Sequence, residues 1–246
     1  MAQLMFYENI HTVSPQRHRD WCAETTPDHF GFARHTNSVP LAAVEIPHAA
    51  REYTVVFATA ADQVIPVVIL SVKDHENVYL TDQGGWAAKY IPAFVRRYPF
   101  VFSENEDHSK YTLCLDESWD GFNQQGRGAR LFDAEGQRTP YLERLLKFMQ
   151  DFQRDMERTK GFCQKLKQLD LLEAKQAEFT LPNGEKGALR GFMAVSRDKL
   201  NALPAETLQE LAKSGMLELT YAHLMSMNNL SLMLQRAREF AAAHAE

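Results

Sequence analysis

The most suggestive chemistry in this chain is a pair of arginines among aromatic rings. Trp86, Tyr90, Arg96, Arg97, Tyr98 and Phe100 fall in one short stretch. Guanidinium groups there could hold a carboxylate or phosphate while the rings stack on a ligand. The competing reading is a helix-to-strand corner with core aromatics and solvated or internally paired arginines. A second candidate is Gly126-Arg127-Gly128-Ala129-Arg130, ahead of Asp133. Glycine-rich backbone beside Arg127 and Arg130 could form an anion-binding concavity, against the simpler reading of a surface turn. It lacks the Gly-Lys-Ser/Thr of a nucleotide-phosphate loop and does not match the dinucleotide fingerprint.

The histidines are crowded early: His11, His18, His29, His35 and His48 precede the dispersed His75, His108, His223 and His244. No pair stands at the helical spacing, with a carboxylate, that a zinc hydrolase needs, and Asp74-His75-Glu76 does not have the spacing of an iron triad. Neither a metal nor a cofactor is therefore expected. His223 reads first as a hydrogen-bonded core histidine, and it stays among the candidate ligand-binding residues. Nucleophilic catalysis has no Gly-x-Ser-x-Gly elbow. Cys22, Cys114 and Cys163 are far apart and read as reduced thiols, without a sign of thiolate activation. No catalytic residue can be named. The methionines Met216, Met225, Met227 and Met233 read either as core or as an adaptable face for a peptide or a second subunit.

Composition narrows the classes. The chain has 246 residues, 45% hydrophobic and 24% charged, with a formal net charge of −5. That is an ordinary globular balance, with no electrostatic footprint for a nucleic-acid backbone. No apolar run is long enough to span a bilayer. The first residues lack the cationic start and apolar core of a secretory signal, so a cytoplasmic location is expected.

The elements that must carry these residues form an α+β pattern. Tyr53–Thr59 and Val64–Val72 are β-branched strand candidates joined by a short hairpin loop at Ala60–Gln63, with Asn77–Thr81 as a third. Pro66 implies a bulge or an edge position. Ala87–Arg97 reads as a short helix, followed by strands at Tyr98–Phe102 and Tyr111–Leu115. A polar, glycine-bearing loop covers Asp116–Arg138. Thr139 can cap a long helix with Pro140 at its first position. Leu142, Leu145, Leu146, Met149, Phe152, Met156, Phe162, Leu166 and Leu169 give that helix one apolar stripe, with a kink or break expected at Gly161. Asn183-Gly184 predicts a hairpin between Ala174–Leu181 and Lys186–Val195. Helices follow at Leu203–Ser214 and from about Leu219 to Ala243. The expected architecture is an antiparallel strand-rich N-terminal half with a helix, then a helix-rich C-terminal half with an inserted β-hairpin. It reads as one compact body over 1–246, with a softer division into 1–120 and 121–246.

Four blocks carry a family resemblance: Val39-Pro40-Leu41 with Glu45 and Tyr53–Phe57; Trp86 with Tyr90-Ile91-Pro92 and Arg96–Phe100; Gly128 to Leu131-Phe132-Asp133 and Gly136; and Gly191-Phe192 with Val195, Leu200, Gly215 and Tyr221–Leu224 before Ser226. Together they resemble the SapC family of bacterial proteins, named after a surface-layer locus. The resemblance implies no established activity, so it supplies no catalytic residue. The function expected is that of a non-enzymatic binding or accessory protein for surface, export or client-protein modification processes. Its partner would be a protein or peptide client, or a small anionic or aromatic ligand, and homo-oligomerisation stays open. The alternative is an enzyme with a site assembled from distant segments, marked by a deep pocket joining at least two of His18, Arg96, Arg97, Arg127 and His223.

Overall fold

The computed structural model describes residues 5–60, 63–104, 111–180 and 186–243. The chain opens with β1 (Ile10–Thr12), α1 (Pro15–His18) and β2 (Cys22–Ala23). Next come β3 (Ser38–Pro40), α2 (Ile46–Ala49), β4 (Val55–Ala60), β5 (Gln63–Ile69) and α3 (Ala93–Arg96). Strands β6 (Phe100–Glu104), β7 (Tyr111–Asp116), β8 (Phe122–Asn123) and β9 (Ala129–Arg130) lead to the long helix α4 (Pro140–Gln168). A hairpin, β10 (Leu172–Thr180) and β11 (Lys186–Val195), precedes α5 (Arg197–Asn201), α6 (Ala205–Lys213), α7 (Met216–Ser226) and α8 (Leu230–Ala243).

Three antiparallel sheets result, ordered β1-β7-β6, β10-β11-β4-β5-β3 and β8-β2-β9. The hairpin β10–β11 joins the five-stranded sheet through Met193 opposite Phe57, so sequence-distant halves share a sheet. Pro66 lies opposite Phe57 in β5, just beyond the last residue paired with β3. Its carbonyl accepts from the Leu41 N–H, and its missing donor falls where β3 has ended. The expected bulge or edge strand is not found: β5 lies between β4 and β3, and its register with β4 runs unbroken through Pro66.

The main core runs from Val39 to Ala237 and includes Phe57, Val68, Tyr79, Phe162 and Leu166. A second cluster gathers Phe100, Leu115, Leu131, Leu142 and Met149. Helix α4 serves both: its first half packs on the second cluster, its last turns on the first. Thr139 caps it, its hydroxyl accepting from the Leu142 N–H at 3.4 Å, with Pro140 at the first position.

Several expectations are corrected. Asn77–Thr81 is not a strand; its only ladder contact is a single bridge from Leu80 to Trp86. The helix expected over Ala87–Arg97 shrinks to α3, because Pro92 sits in extended conformation immediately before it. Gly161 does not break α4, since open space surrounds it and no neighbour intrudes on the ladder. The expected last helix divides into α7 and α8 at a 3-10 turn over Met227–Asn229, where the Asn229 side chain donates to the Ala50 and Tyr53 carbonyls. The loop Asp116–Arg138 contains β8 and β9. The Asn183-Gly184 turn and Ala61-Asp62 of the Ala60–Gln63 loop lie outside the described residues, as do His108 and His244.

Candidate functional site

The first half of α4 is a ridge with a concavity on each flank. At 3.6 residues per turn, Leu142, Met149 and Phe152 face the core, while Leu146, Gln150 and Arg154 turn to one side and Phe148 and Asp155 to the other. Asp151 sits at the crest and borders both concavities.

On the first flank α4 diverges from the β1-β7-β6 sheet and leaves a cleft of about 1220 Å³. Its apolar floor is formed by Val13, Phe102, Leu113, Phe132, Leu142 and Leu146. Its rim carries both signs of charge, from Arg138, Lys147 and Arg154 to Glu143, Asp151 and Glu157. Gln153 Nε2 reaches across to the Tyr111 hydroxyl at 3.3 Å.

The second flank holds a smaller pocket of about 280 Å³, built around Glu45. That residue closes the turn preceding α2, where its Oε2 accepts from the Ala42 N–H at 3.0 Å. Oε1 accepts from the Ala93 N–H at 2.8 Å and the Tyr90 hydroxyl at 2.6 Å. The turn is tied to α4 as well, because Ala43 N–H donates to Thr159 Oγ1 at 2.7 Å. Burial, then the neighbouring Glu45 carboxylate, pushes the Tyr90 phenol well above its usual range, so it stays a donor. His48 stacks on the Tyr90 ring at 5.6 Å, and Arg96 lies 5.3 Å over Phe148.

Of the residues singled out from sequence, Tyr90 and Arg96 meet in this pocket and the others do not. Trp86 donates its indole N–H to the Tyr53 hydroxyl at 2.7 Å and packs edge-on against Phe30. Arg97 is half-buried, its guanidinium 4.2 Å from the Phe94 ring centre and 5.3 Å from that of Phe152. Burial lowers its pKa, and its Nε has no hydrogen-bond partner among the described residues. Tyr98 lies against Phe32 at 4.0 Å, beside a separate shallow cleft with His35 and His75. Phe100 is core.

Arg130 lies in β9 of the small β8-β2-β9 sheet and Arg127 in the turn between β8 and β9, and neither borders a concavity. Arg127 pairs with Glu24 at 2.9 Å on the surface. Gly128 has φ +81°, and a Cβ there would lie 2.2 Å from the Ala23 carbonyl oxygen. Gly128 therefore serves the close approach of this turn to β2. His223 is fully buried. Its Nε2 accepts from the Val195 N–H at 3.1 Å, so Nδ1 donates to the Val55 carbonyl at 3.0 Å. It staples α7 to β11 and β4, and burial lowers its pKa to about 4.

Sequence reasoning gave no functional weight to Glu45 or to Glu117. Glu45 had a local signal, a lone carboxylate inside the apolar run Leu41–Pro47. Glu117 had none. It takes two hydrogen bonds from Arg17, the Nη2–Oε2 one at 2.7 Å, and one from His18 at 3.1 Å, with His11 at 3.6 Å. The His18 Nδ1 accepts from Ser14 N–H, which leaves Nε2 as the donor. Among the described residues no group of histidines, cysteines and acids could hold a metal ion. Likewise, no helix is long and apolar enough to cross a membrane.

This is an α+β protein in which one long helix, spanning two hydrophobic clusters, forms the wall between a wide cleft and a small aromatic pocket. The SapC family model matches residues 13–233. The chain belongs to the SapC family. No curated protein and no solved structure matches it.

Proposed function

We propose that the protein is a non-enzymatic binding or accessory protein that holds an extended segment of a client polypeptide in the cleft beside α4. The observation that carries this reading is the cleft itself. At about 1220 Å³, it exceeds the roughly 300–1,000 Å³ of most small-molecule sites. Its floor offers aliphatic and aromatic surface for alternate side chains. Its rim balances three basic against three acidic groups, which suits a polypeptide better than a polyanion. A role in surface, export or client-modification processes draws its support from the family resemblance.

The test is selection of a random peptide library on the immobilised protein, with calorimetry on the enriched peptides. Micromolar binding that is lost in Leu146→Arg and weakened in the exposed rim variant Lys147→Glu is expected. Failure to enrich any sequence, or enriched peptides that bind both variants like the wild type, would rule the cleft out.

A further inference from the structure

The pocket on the opposite flank of α4 has its own chemistry, and it does not depend on what occupies the cleft. Its walls combine rings with carboxylates. Tyr90 and His48 stack on one side, Phe148 stands on another, Glu45 forms the floor, and Asp151 and Asp155 follow one another by a helical turn along α4. Three carboxylates therefore face a single guanidinium, that of Arg96.

The partners of those acids leave much of their charge available. Glu45 is held by two backbone N–H groups and a phenol, with Arg96 Nη2 only at 4.0 Å. Asp151 pairs with Arg154 at 2.6 Å and Asp155 with Arg158 at 3.7 Å, but those arginine side chains are 57% and 74% exposed. Pairs of that kind are weak and readily exchanged. Aromatic faces attract cations through their quadrupoles, and the protein already lays a guanidinium over Phe148. That arginine side chain is 44% exposed, so its place over the ring is reached from solvent and a second cation would exchange with it there.

We propose that this pocket binds an organic cation, a primary ammonium or guanidinium group, between the Tyr90 and Phe148 rings and the Asp151 and Asp155 carboxylates. A volume of about 280 Å³ admits the end of a lysine or arginine side chain or a small diamine, and little more. A carboxylate or phosphate ligand would have to face three like charges to reach Arg96, so the anionic class expected from sequence is disfavoured here.

The experiment is a titration followed by NMR signals of the Tyr90 and Phe148 rings, with 1,5-diaminopentane and agmatine as free cations, N-acetyl-lysine N-methylamide as the peptide-borne cation, and acetate as the anion. The cations should shift these signals at millimolar concentration, and Asp151→Asn and Asp155→Asn should each weaken binding by about tenfold, the cost of one charged partner. Both aspartates are on the helix surface, so these variants keep the fold. Binding of the blocked lysine assigns the cation to a polypeptide side chain, and binding of the diamine alone assigns it to a free amine. Shifts produced by acetate but not by the cations would overturn the proposal, as would silence towards all four probes.

Discussion

Glu45 and Glu117 each collect donors from segments far apart in the chain, and they differ in what those donors are. Glu117 is met by a cation, Arg17, at two points, and by the imidazoles of His18 and His11. The Arg17 hydrogen bonds hold its pKa down at about 2. Its charge is consumed in tying the N-terminal arm to the end of β7. Glu45 is met by neutral donors, which fix its position without cancelling its charge. A carboxylate satisfied by a guanidinium is a clasp; one satisfied by amides and a phenol keeps a field that a ligand can feel.

The largest effect should follow from removing the second kind. Glu45→Ala leaves the Ala42 and Ala93 N–H groups and the Tyr90 hydroxyl without an acceptor in a buried setting, at a cost of about 3 kcal/mol or more. Urea denaturation measures it. Glu117→Gln should cost less than about 1 kcal/mol, since the Arg17 side chain is half exposed and resolvates easily. Equal losses at the two positions would break the contrast between hub and clasp.

His223 is the intermediate case, a buried titratable group with neutral partners only. Its folded pKa, about 4, lies below the ordinary 6.5. The neutral form is the one that folding favours, so its contribution is complete above pH 6.5 and is lost as pH falls towards 4. The loss is on the order of 3 kcal/mol across that window. Denaturation midpoints at pH 7 and pH 4.5 test it, with His223→Phe expected to start less stable and to show a flatter dependence. A wild-type midpoint unchanged over that interval would remove His223 from the account.

A smaller step sharpens the picture of the pocket. Thr159→Val leaves the Ala43 N–H without its acceptor and should cost about 1 kcal/mol. Because Thr159 anchors the Glu45 turn to α4, the same variant should disturb the His48 and Tyr90 ring signals. A stability loss with those signals unmoved would separate the turn from the pocket.

What was legible in sequence was local. The Thr139-Pro140 start of α4 and the pairing of Ala174–Thr180 with Lys186–Val195 each follow from one or two residues and their neighbours. The shortened α3 was legible in principle, because Pro92 is incompatible with a helix through it. The division of α7 from α8 was not legible: Asn229 serves carbonyls at Ala50 and Tyr53, far back in the chain. The site was legible in part for the same reason. Tyr90 and Arg96 were visible as aromatic and arginine neighbours, but Glu45 acquires meaning only when its donors arrive from positions 90 and 93. The wide cleft exists because a helix and a sheet diverge, and no spacing of residues announces that.

The smallest expected effect concerns acid and the clasp alone. The folded pKa of Glu117, about 2, lies below the ordinary 4.5, so the clasp contributes above pH 4.5 and fades as pH falls towards 2. His223 has lost its contribution by then, so the two events separate on the pH axis. Hydrogen exchange of the amides from Ile10 to His18 reads the clasp locally. Exchange there should accelerate as pH falls from 4 towards 2, relative to intrinsic rates, while amides of the β4–β5 ladder, whose loss through His223 is complete near pH 4, lose no further protection over the same interval. In Glu117→Gln the arm should exchange at an elevated rate with no further acceleration in that window. An arm that stays protected down to pH 2 in the wild type would show that backbone pairing of β1 with β7 suffices, and that the partners of Glu117 contribute nothing to holding it.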